Sequence, residues 1–138
     1  ISAAFSSTGL TTIIAKNLEL IKNWHPFWVM AASCTIVTFC TEVITNIATI
    51  IVFLPILAAV AQSAGTYHPL LILIPSTISS SYAFMLPIGT APNMIAFKAT
   101  PVLTISKMMK AGIWLNLFAI LITTTMSYVL IPLIYGKI

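Results

Sequence analysis

Charge is what this 138-residue sequence has least of: two acidic and six basic side chains, 6% of all residues. Arginine and aspartate are absent. A soluble domain carries about 25% charged residues, so these few charges cannot cover a water-facing surface. Intrinsic disorder is excluded too, because it needs low hydrophobicity. With 59% hydrophobic residues and a mean hydropathy of +1.08, the chain is predicted to be an all-α integral membrane protein.

Residues that carry chemistry are also scarce. The net charge of +4 comes from scattered lysines, not from a clustered basic face, so no nucleic-acid partner is expected. The only acids are Glu19 and Glu42, and no acid–base or nucleophile–base pair can be assembled from this chain. Cys34 and Cys40 lie six residues apart, on different faces of a helix, which disfavours a disulfide or metal pair. The sequence therefore predicts no enzyme and no catalytic residue.

The segment 26–61 does not have the length of an ordinary span. As one helix its 36 residues would be roughly 54 Å long. That is too long for one crossing of a ~30 Å hydrocarbon core and short for two crossings plus a loop. A break near Thr45 and Asn46 gives two arms and a polar tip, a re-entrant hairpin of the kind tolerated inside protein or around a cavity. The alternative is one tilted span with Glu42 near an interface.

A second break is predicted at residues 87–93, where two prolines and a glycine interrupt the apolar segment 69–97. Taken alone, this could be a kinked structural helix. Two broken apolar segments with polar breaks together indicate the midplane binding site of a secondary transporter. A helix that starts at Asn46 would turn its free N–H groups toward an anion, while hydroxyls and released carbonyls suit Na⁺.

Glu42 is the one charge within the apolar segments, which makes it a functional candidate. It could shape the hairpin by accepting hydrogen bonds from backbone N–H groups, or it could relay protons. We favour the structural role. Because the chain starts with Ile1 inside an apolar stretch, we expect a fragment, the C-terminal part, of a longer transporter or channel.

Two stretches carry a family resemblance: TEVITNIATIIVFLPILAAVAQSAG at 41–65 and HPLLILIPSTISSSYAFMLPIGTAPNMIAF at 68–97. They resemble the divalent-anion:sodium symporter family, which includes sodium-dependent dicarboxylate, citrate and sulfate transporters. That family has a Ser-Asn-Thr motif at the tip of each of two hairpins and an Ala-Thr-Pro-Pro-Asn-like stretch in a broken helix. The resemblance covers nearly the whole chain and corresponds to the family's last third.

The resemblance implies an inverted-repeat, elevator-type transporter fold with five segments in this chain. These are a span at 1–15, an interfacial helix at 16–25, the re-entrant hairpin at 26–61, the broken helix at 69–97 and the last span at 112–135. It implies a sodium site made by Thr41, the Ile44 carbonyl, Asn46 and the Gly89 carbonyl. It implies a substrate site at Thr45, Asn46, Ile47 and Thr90. No metal other than sodium is implied.

Three residues depart from the family pattern. Ile47 replaces the third, hydroxyl-bearing residue of the tip motif, Gly89 replaces the usual alanine, and Ala91 replaces the first of two prolines. Thr90 matches the dicarboxylate branch, whereas sulfate transporters often have asparagine there. The first hairpin of the family, with half of the substrate site, is absent from this chain, so the expected activity belongs to the parent protein.

The expected function is sodium-coupled symport of a small divalent anion, with C4 dicarboxylates such as succinate favoured. Na⁺ is the co-transported ion, and the expected partners are the anion, the lipid bilayer and a second copy in a homodimer. The expected location is the plasma membrane, or the inner membrane of a bacterium, as a multi-pass protein. The alternatives are a sodium-coupled sulfate or other inorganic anion transporter, and a channel or structural subunit without ion coupling.

Overall fold

The computed structural model describes residues 25–64, 68–100 and 102–135, and within these ranges the chain forms helices and turns without any strand. The helices are α1 (Pro26–Thr41), α2 (Asn46–Ala64), α3 (Leu70–Ser79), α4 (Ala91–Ala99) and α5 (Ile105–Tyr135). The all-α prediction is thus confirmed for the described part of the chain. The predicted span 1–15 and all of the interfacial segment 16–25 except His25 lie outside the described residues.

Helices α1 and α2 run antiparallel and are joined by the turn 42–45. Val29, near the start of α1, and Val60, near the end of α2, line the same groove. The first helix starts at Pro26, whose missing N–H costs nothing at this position, and the Nδ1 of His25 accepts a hydrogen bond from the Phe27 N–H at 3.4 Å. The segment therefore folds as a helical hairpin with its turn at the polar residues.

The apolar core lies between α1, α2, α3 and α5, with α1 in contact with the other three. Met30 and Ile72 are fully buried at its centre. The other buried members of this core are Val29, Val37, Leu57, Ala61, Leu71 and Ile131. The hairpin is thus packed against α3 and α5 along its first arm, which fixes where its turn lies.

Helix α5 has small and polar residues on its buried face and large apolar residues outside. The buried positions are Gly112, Asn116, Ile120, Thr123, Thr124, Ser127 and Ile131. The exposed positions include Trp114, Phe118 and Leu121, each more than half accessible. Among the described helices, α5 is the one long and apolar enough to cross a bilayer. Small buried residues and an apolar exterior are typical of helices packed in a membrane.

The structure places the second break earlier than predicted. Helix α3 ends at Ser79, and residues 80–90 form turns and extended chain before α4 begins at Ala91. Proline chemistry alone would have carried the helix to about residue 86. It ends sooner because the N–H groups of Phe84, Met85 and Leu86 donate to the Glu42 carboxylate instead of to helical carbonyls.

The last helix also starts earlier than the predicted span 112–135. It begins at Ile105, so that Lys107 and Lys110 belong to its first two turns. Both lysines are exposed. Long basic side chains at a helix end keep their ammonium groups in water while the helix continues into apolar surroundings.

Candidate ion and substrate site

The hairpin turn is closed by its own helices. The N–H groups of Val43 and Ile44 both donate to the Cys40 carbonyl, at 3.2 and 3.0 Å. On the other side, the Thr45 carbonyl accepts from the Thr49 N–H at 2.9 Å and from the Thr49 hydroxyl at 3.1 Å. Each arm therefore satisfies its own end of the turn, which leaves the side chains at the tip free for other partners.

Three oxygens of different chemical type meet beside this turn. The Thr41 Oγ1 lies 2.8 Å from the Asn46 Oδ1 and 2.6 Å from the Ser80 carbonyl oxygen. A hydroxyl has one proton and can donate to only one of these acceptors at a time. Hydroxyl, amide and carbonyl oxygens are the ligand types that hard cations prefer.

The Glu42 carboxylate connects the turn with the segment 80–90. It is 4% exposed. Its Oε1 accepts from the N–H groups of Phe84 and Met85, both at 2.9 Å, and its Oε2 accepts from Met85 and Leu86, both at 3.1 Å. Hydrogen bonds to a charged acceptor are roughly twice as strong as neutral ones. The carboxylate thus replaces the helical carbonyls that these N–H groups would otherwise need.

This geometry refines the predicted role of Glu42. The carboxylate does bond backbone N–H groups, but those of the segment 80–90 and not those of its own hairpin. The Asn116 amide on α5 adds a further donor, with its Nδ2 at 2.7 Å from the Glu42 Oε1. Every partner of the Glu42 carboxylate among the described residues is a neutral N–H donor.

The Asn93 side chain bonds the carbonyl groups of the segment 80–90. It lies in the first turn of α4, and its Nδ2 donates to the carbonyls of Ala83 and of Leu86, the latter at 3.1 Å. The Leu86 carbonyl also accepts from the Gly89 N–H at 3.2 Å. The segment 80–90 is therefore held through its N–H groups by Glu42 and through its carbonyls by Asn93.

Gly89 and Thr90 bring the end of this segment to the hairpin turn. A Cβ added at Gly89 would lie 3.6 Å from the Glu42 carbonyl oxygen and 3.1 Å from the Ala83 Cβ. Thr90 precedes α4 in an extended conformation, and its side chain makes no capping hydrogen bond. The Thr90 hydroxyl is thus not engaged by the helix that it introduces.

The remaining predicted residues lie on the outer side of the turn. Ile44 and Ile47 are 46% and 73% exposed, and the Thr45 side chain is also exposed. The described residues therefore bring Thr41 and Asn46 into contact and place Gly89 beside the turn, while Thr45 and Ile47 face away from the protein that is described. Their assignment to the substrate stays a prediction.

Three polar contributors were missed from the sequence: the Ser80 carbonyl, the Asn93 amide as a closing group, and Asn116. Asn116 had a usable signal, because it is the only amide side chain in the apolar run 111–135. A polar side chain inside such a run marks a packing or functional contact. No local signal identified Ser80, since any residue offers a carbonyl and only the fold selects this one.

Comparison with known proteins identifies the family of this chain. The model of the sodium:sulfate symporter transmembrane region matches residues 1–135. The chain belongs to this family. The resemblance noted from the two quoted stretches is therefore confirmed, and so is the prediction that the chain is part of a membrane transporter and not an enzyme.

The individual relatives that match the chain are named as sodium-coupled dicarboxylate transporters. The sodium-dependent dicarboxylate transporter of Staphylococcus saprophyticus is 35% identical over 136 residues, which is 99% of this chain and 26% of the relative. The Na⁺/dicarboxylate cotransporter 3 of the rat is 40% identical over 115 residues, 83% of this chain and 19% of the relative. The human protein of the same name is 39% identical over the same length. The chain thus spans about a quarter to a fifth of these relatives, less than the predicted third.

Proposed function

We propose that the full-length protein is a sodium-coupled symporter of small divalent anions, with a C4 dicarboxylate such as succinate as substrate. The observation that carries the proposal is the meeting of the Thr41 hydroxyl, the Asn46 side-chain amide and the Ser80 carbonyl at the hairpin turn. Relatives named as dicarboxylate transporters support the choice of substrate. Thr90, with its hydroxyl unused by α4, supports it as well.

In this proposal Na⁺ binds at the turn, through Thr41, Asn46 and the carbonyls of Ile44 and Gly89. Binding fixes the hairpin tip against the segment 80–90 and adds positive charge where the dianion arrives. The start of α2 contributes only modestly, of order 1 kcal/mol for one helix end. The ion must therefore offset most of the cost of placing a dianion in a site of low dielectric constant.

The substrate site in this proposal consists of Thr45, Asn46, Thr90 and the position of Ile47. The exposure of Thr45 and Ile47 is compatible with a site completed by the part of the parent protein that lies outside this chain. The hairpin would re-enter the membrane without crossing it. The parent would act as an elevator-type homodimer in the plasma membrane, the inner membrane in a bacterium.

Sulfate is the second candidate substrate. The matching family description names sulfate, and Ile47 removes the third hydroxyl that the family's tip motif offers to a dicarboxylate. A smaller inorganic dianion needs fewer contacts than a C4 chain. The two substrates are distinguished by direct competition.

The test is uptake of labelled succinate, and in parallel of labelled sulfate, by proteoliposomes that contain the full-length parent, with and without an inward sodium gradient and with sulfate as competitor of succinate. Sodium-driven uptake that sulfate does not reduce supports the dicarboxylate proposal. Sodium-driven sulfate uptake would replace it with the second candidate. Succinate or sulfate flux that is indifferent to sodium would contradict ion coupling and favour a channel.

Asn46→Ala sharpens the test, because this side chain is proposed to bind both ion and substrate. We expect uptake to fall to background while the purified variant stays folded. Thr35→Val is the matched control in the neighbouring helix, since the Thr35 hydroxyl donates only to the Ala31 carbonyl of its own helix, at 2.7 Å. Equal uptake by both variants would contradict the proposed site.

A further inference from the structure

A small buried contact joins α5 to the candidate site, and it involves two residues one turn apart. Asn116 is fully buried, and its Nδ2 donates to the Glu42 Oε1 at 2.7 Å. Gly112 lies four residues earlier on the same helix face. A Cβ there would be 2.6 Å from the Met85 Cα and 2.5 Å from the Phe84 carbonyl oxygen. Helix α5 therefore touches both the carboxylate and the backbone that the carboxylate holds.

Of the two polar atoms of the Asn116 amide, only Nδ2 has a hydrogen-bond partner among the described residues. Its Oδ1 is buried and has no hydrogen-bond partner among them. An unpaired buried acceptor costs stability, and leucine has nearly the same shape without that cost. A position that served packing alone would thus be better filled by an apolar residue. What asparagine offers and leucine does not is the hydrogen bond to Glu42.

We propose that Asn116, with Gly112, is a positioning residue of the sodium site and acts through Glu42. The proposal rests on the proposed function. By bonding Glu42 and admitting the backbone at Met85, the two residues fix the hairpin turn and the segment 80–90 against α5. Thr41 directly precedes Glu42, and Gly89 lies at its carbonyl. The ligand-bearing parts of the site then stand in place before the ion arrives.

The geometry predicts a defect in sodium affinity, not in maximal transport. Without the amide, Glu42 keeps its bonds to the 84–86 backbone but is no longer fixed to α5. Part of the binding energy of Na⁺ must then be spent on fixing the turn and the segment 80–90 against α5. One hydrogen bond to a charged group corresponds to at least about a tenfold change in an equilibrium. We expect the half-saturating sodium concentration to rise by at least about that factor.

The experiment uses the full-length parent with its native cysteines replaced and Val43→Cys introduced as a reporter. Val43 is 75% exposed at the turn and is assigned no ligand role. Its modification by a maleimide is followed over a range of sodium concentrations, with choline as the replacement cation. The half-protecting sodium concentration is determined in this background and with Asn116→Leu, Gly112→Ala or Thr125→Val added. Succinate uptake is measured for the same proteins.

Thr125→Val is the matched control, because the Thr125 side chain is exposed on the same helix and its hydroxyl donates to the Leu121 carbonyl of α5. Gly112→Ala tests the same role by a different route, since the added methyl displaces the backbone at Phe84 and Met85 and leaves the Asn116 amide in place. The proposal expects both site variants to require more sodium, to reach full protection at high sodium and to keep maximal uptake. The control should match the background.

Unchanged sodium requirement in both site variants would overturn the inference and leave the proposed function standing. Absence of protection at every sodium concentration would also overturn it, because the two residues would then be needed for folding and not for positioning. A background protein that shows neither sodium protection nor sodium-driven uptake would instead contradict the proposed function, and this inference with it.

Discussion

The two breaks in the helices are built in opposite ways. The turn 42–45 is short, and its N–H groups at Val43 and Ile44 and its carbonyl at Thr45 bond within the arms of its own hairpin. The segment 80–90 is longer, and its N–H groups at Phe84, Met85 and Leu86 depend on a carboxylate that belongs to the other break. The first break can therefore form by itself, whereas the second needs the first. The polar turn of the apolar hairpin thus supplies the hydrogen-bond acceptor that the irregular segment 80–90 needs.

The strongest way to break this dependence is Glu42→Ala. Three backbone N–H groups of partly buried residues would lose their acceptor, and each group left unsatisfied away from water costs roughly 1–3 kcal/mol. We expect the segment 80–90 to lose its hydrogen-exchange protection and the thermal midpoint of the full-length parent to fall by many degrees, while α1 and α2 stay protected. Exchange measured by mass spectrometry separates the two regions. Equal loss of protection in the hairpin turn would contradict the proposed order of dependence.

Asn93→Ala tests the other end of the same segment. Two carbonyls, at Ala83 and Leu86, would lose their amide donor, but the Leu86 carbonyl keeps the Gly89 N–H. We expect a smaller destabilisation, about 1–2 kcal/mol, confined to the segment and the start of α4. Denaturant unfolding and hydrogen exchange of the variant check this. A loss as large as that of Glu42→Ala would show that the carbonyl side carries the segment equally.

Thr41→Val tests the role of the hairpin turn in ion binding rather than in stability. The hydroxyl that contacts both Asn46 and the Ser80 carbonyl is lost, while the shape of the side chain is kept. We expect the half-saturating sodium concentration for uptake to rise by about tenfold or more, with a stability loss of only about 1 kcal/mol. Thr35→Val, in the same helix, should change neither quantity. A stability loss without any change in sodium requirement would assign Thr41 to the fold alone.

Gly89→Ala should have the smallest effect. The added Cβ would approach the Ala83 Cβ to 3.1 Å, a contact that a shift of a few tenths of an ångström relieves. The proposed ligand at this position is a carbonyl, which every residue has. We expect sodium-driven uptake within about twofold of the wild type, a free-energy change of only a few tenths of a kcal/mol. A tenfold loss would mean that the backbone at Gly89 tolerates no displacement.

The part of this arrangement that depends on neighbouring residues can be predicted from the sequence. Thr45 and Asn46 stand out as polar residues in an apolar segment, and the helices do separate at residues 42–45, immediately before Asn46. The early end of α3 could not be predicted, because its cause is a carboxylate 42 to 44 residues away along the chain. The Asn116 contact spans 74 residues. Patterns in sequence report a residue's own helix, and these bonds depend on how the helices pack.

The bonds made by Glu42 also restrict how the site can be exposed to either side of a membrane. A gate that swung at the hairpin tip alone would have to pull a buried carboxylate away from three backbone N–H groups and one amide. Leaving that charge without donors in apolar surroundings is far more costly than sliding one lipid-facing surface along another. In the proposed transporter, the tip, the segment 80–90 and α5 would therefore move together. Access to the proposed site would then change by moving all three, with any hinge outside them.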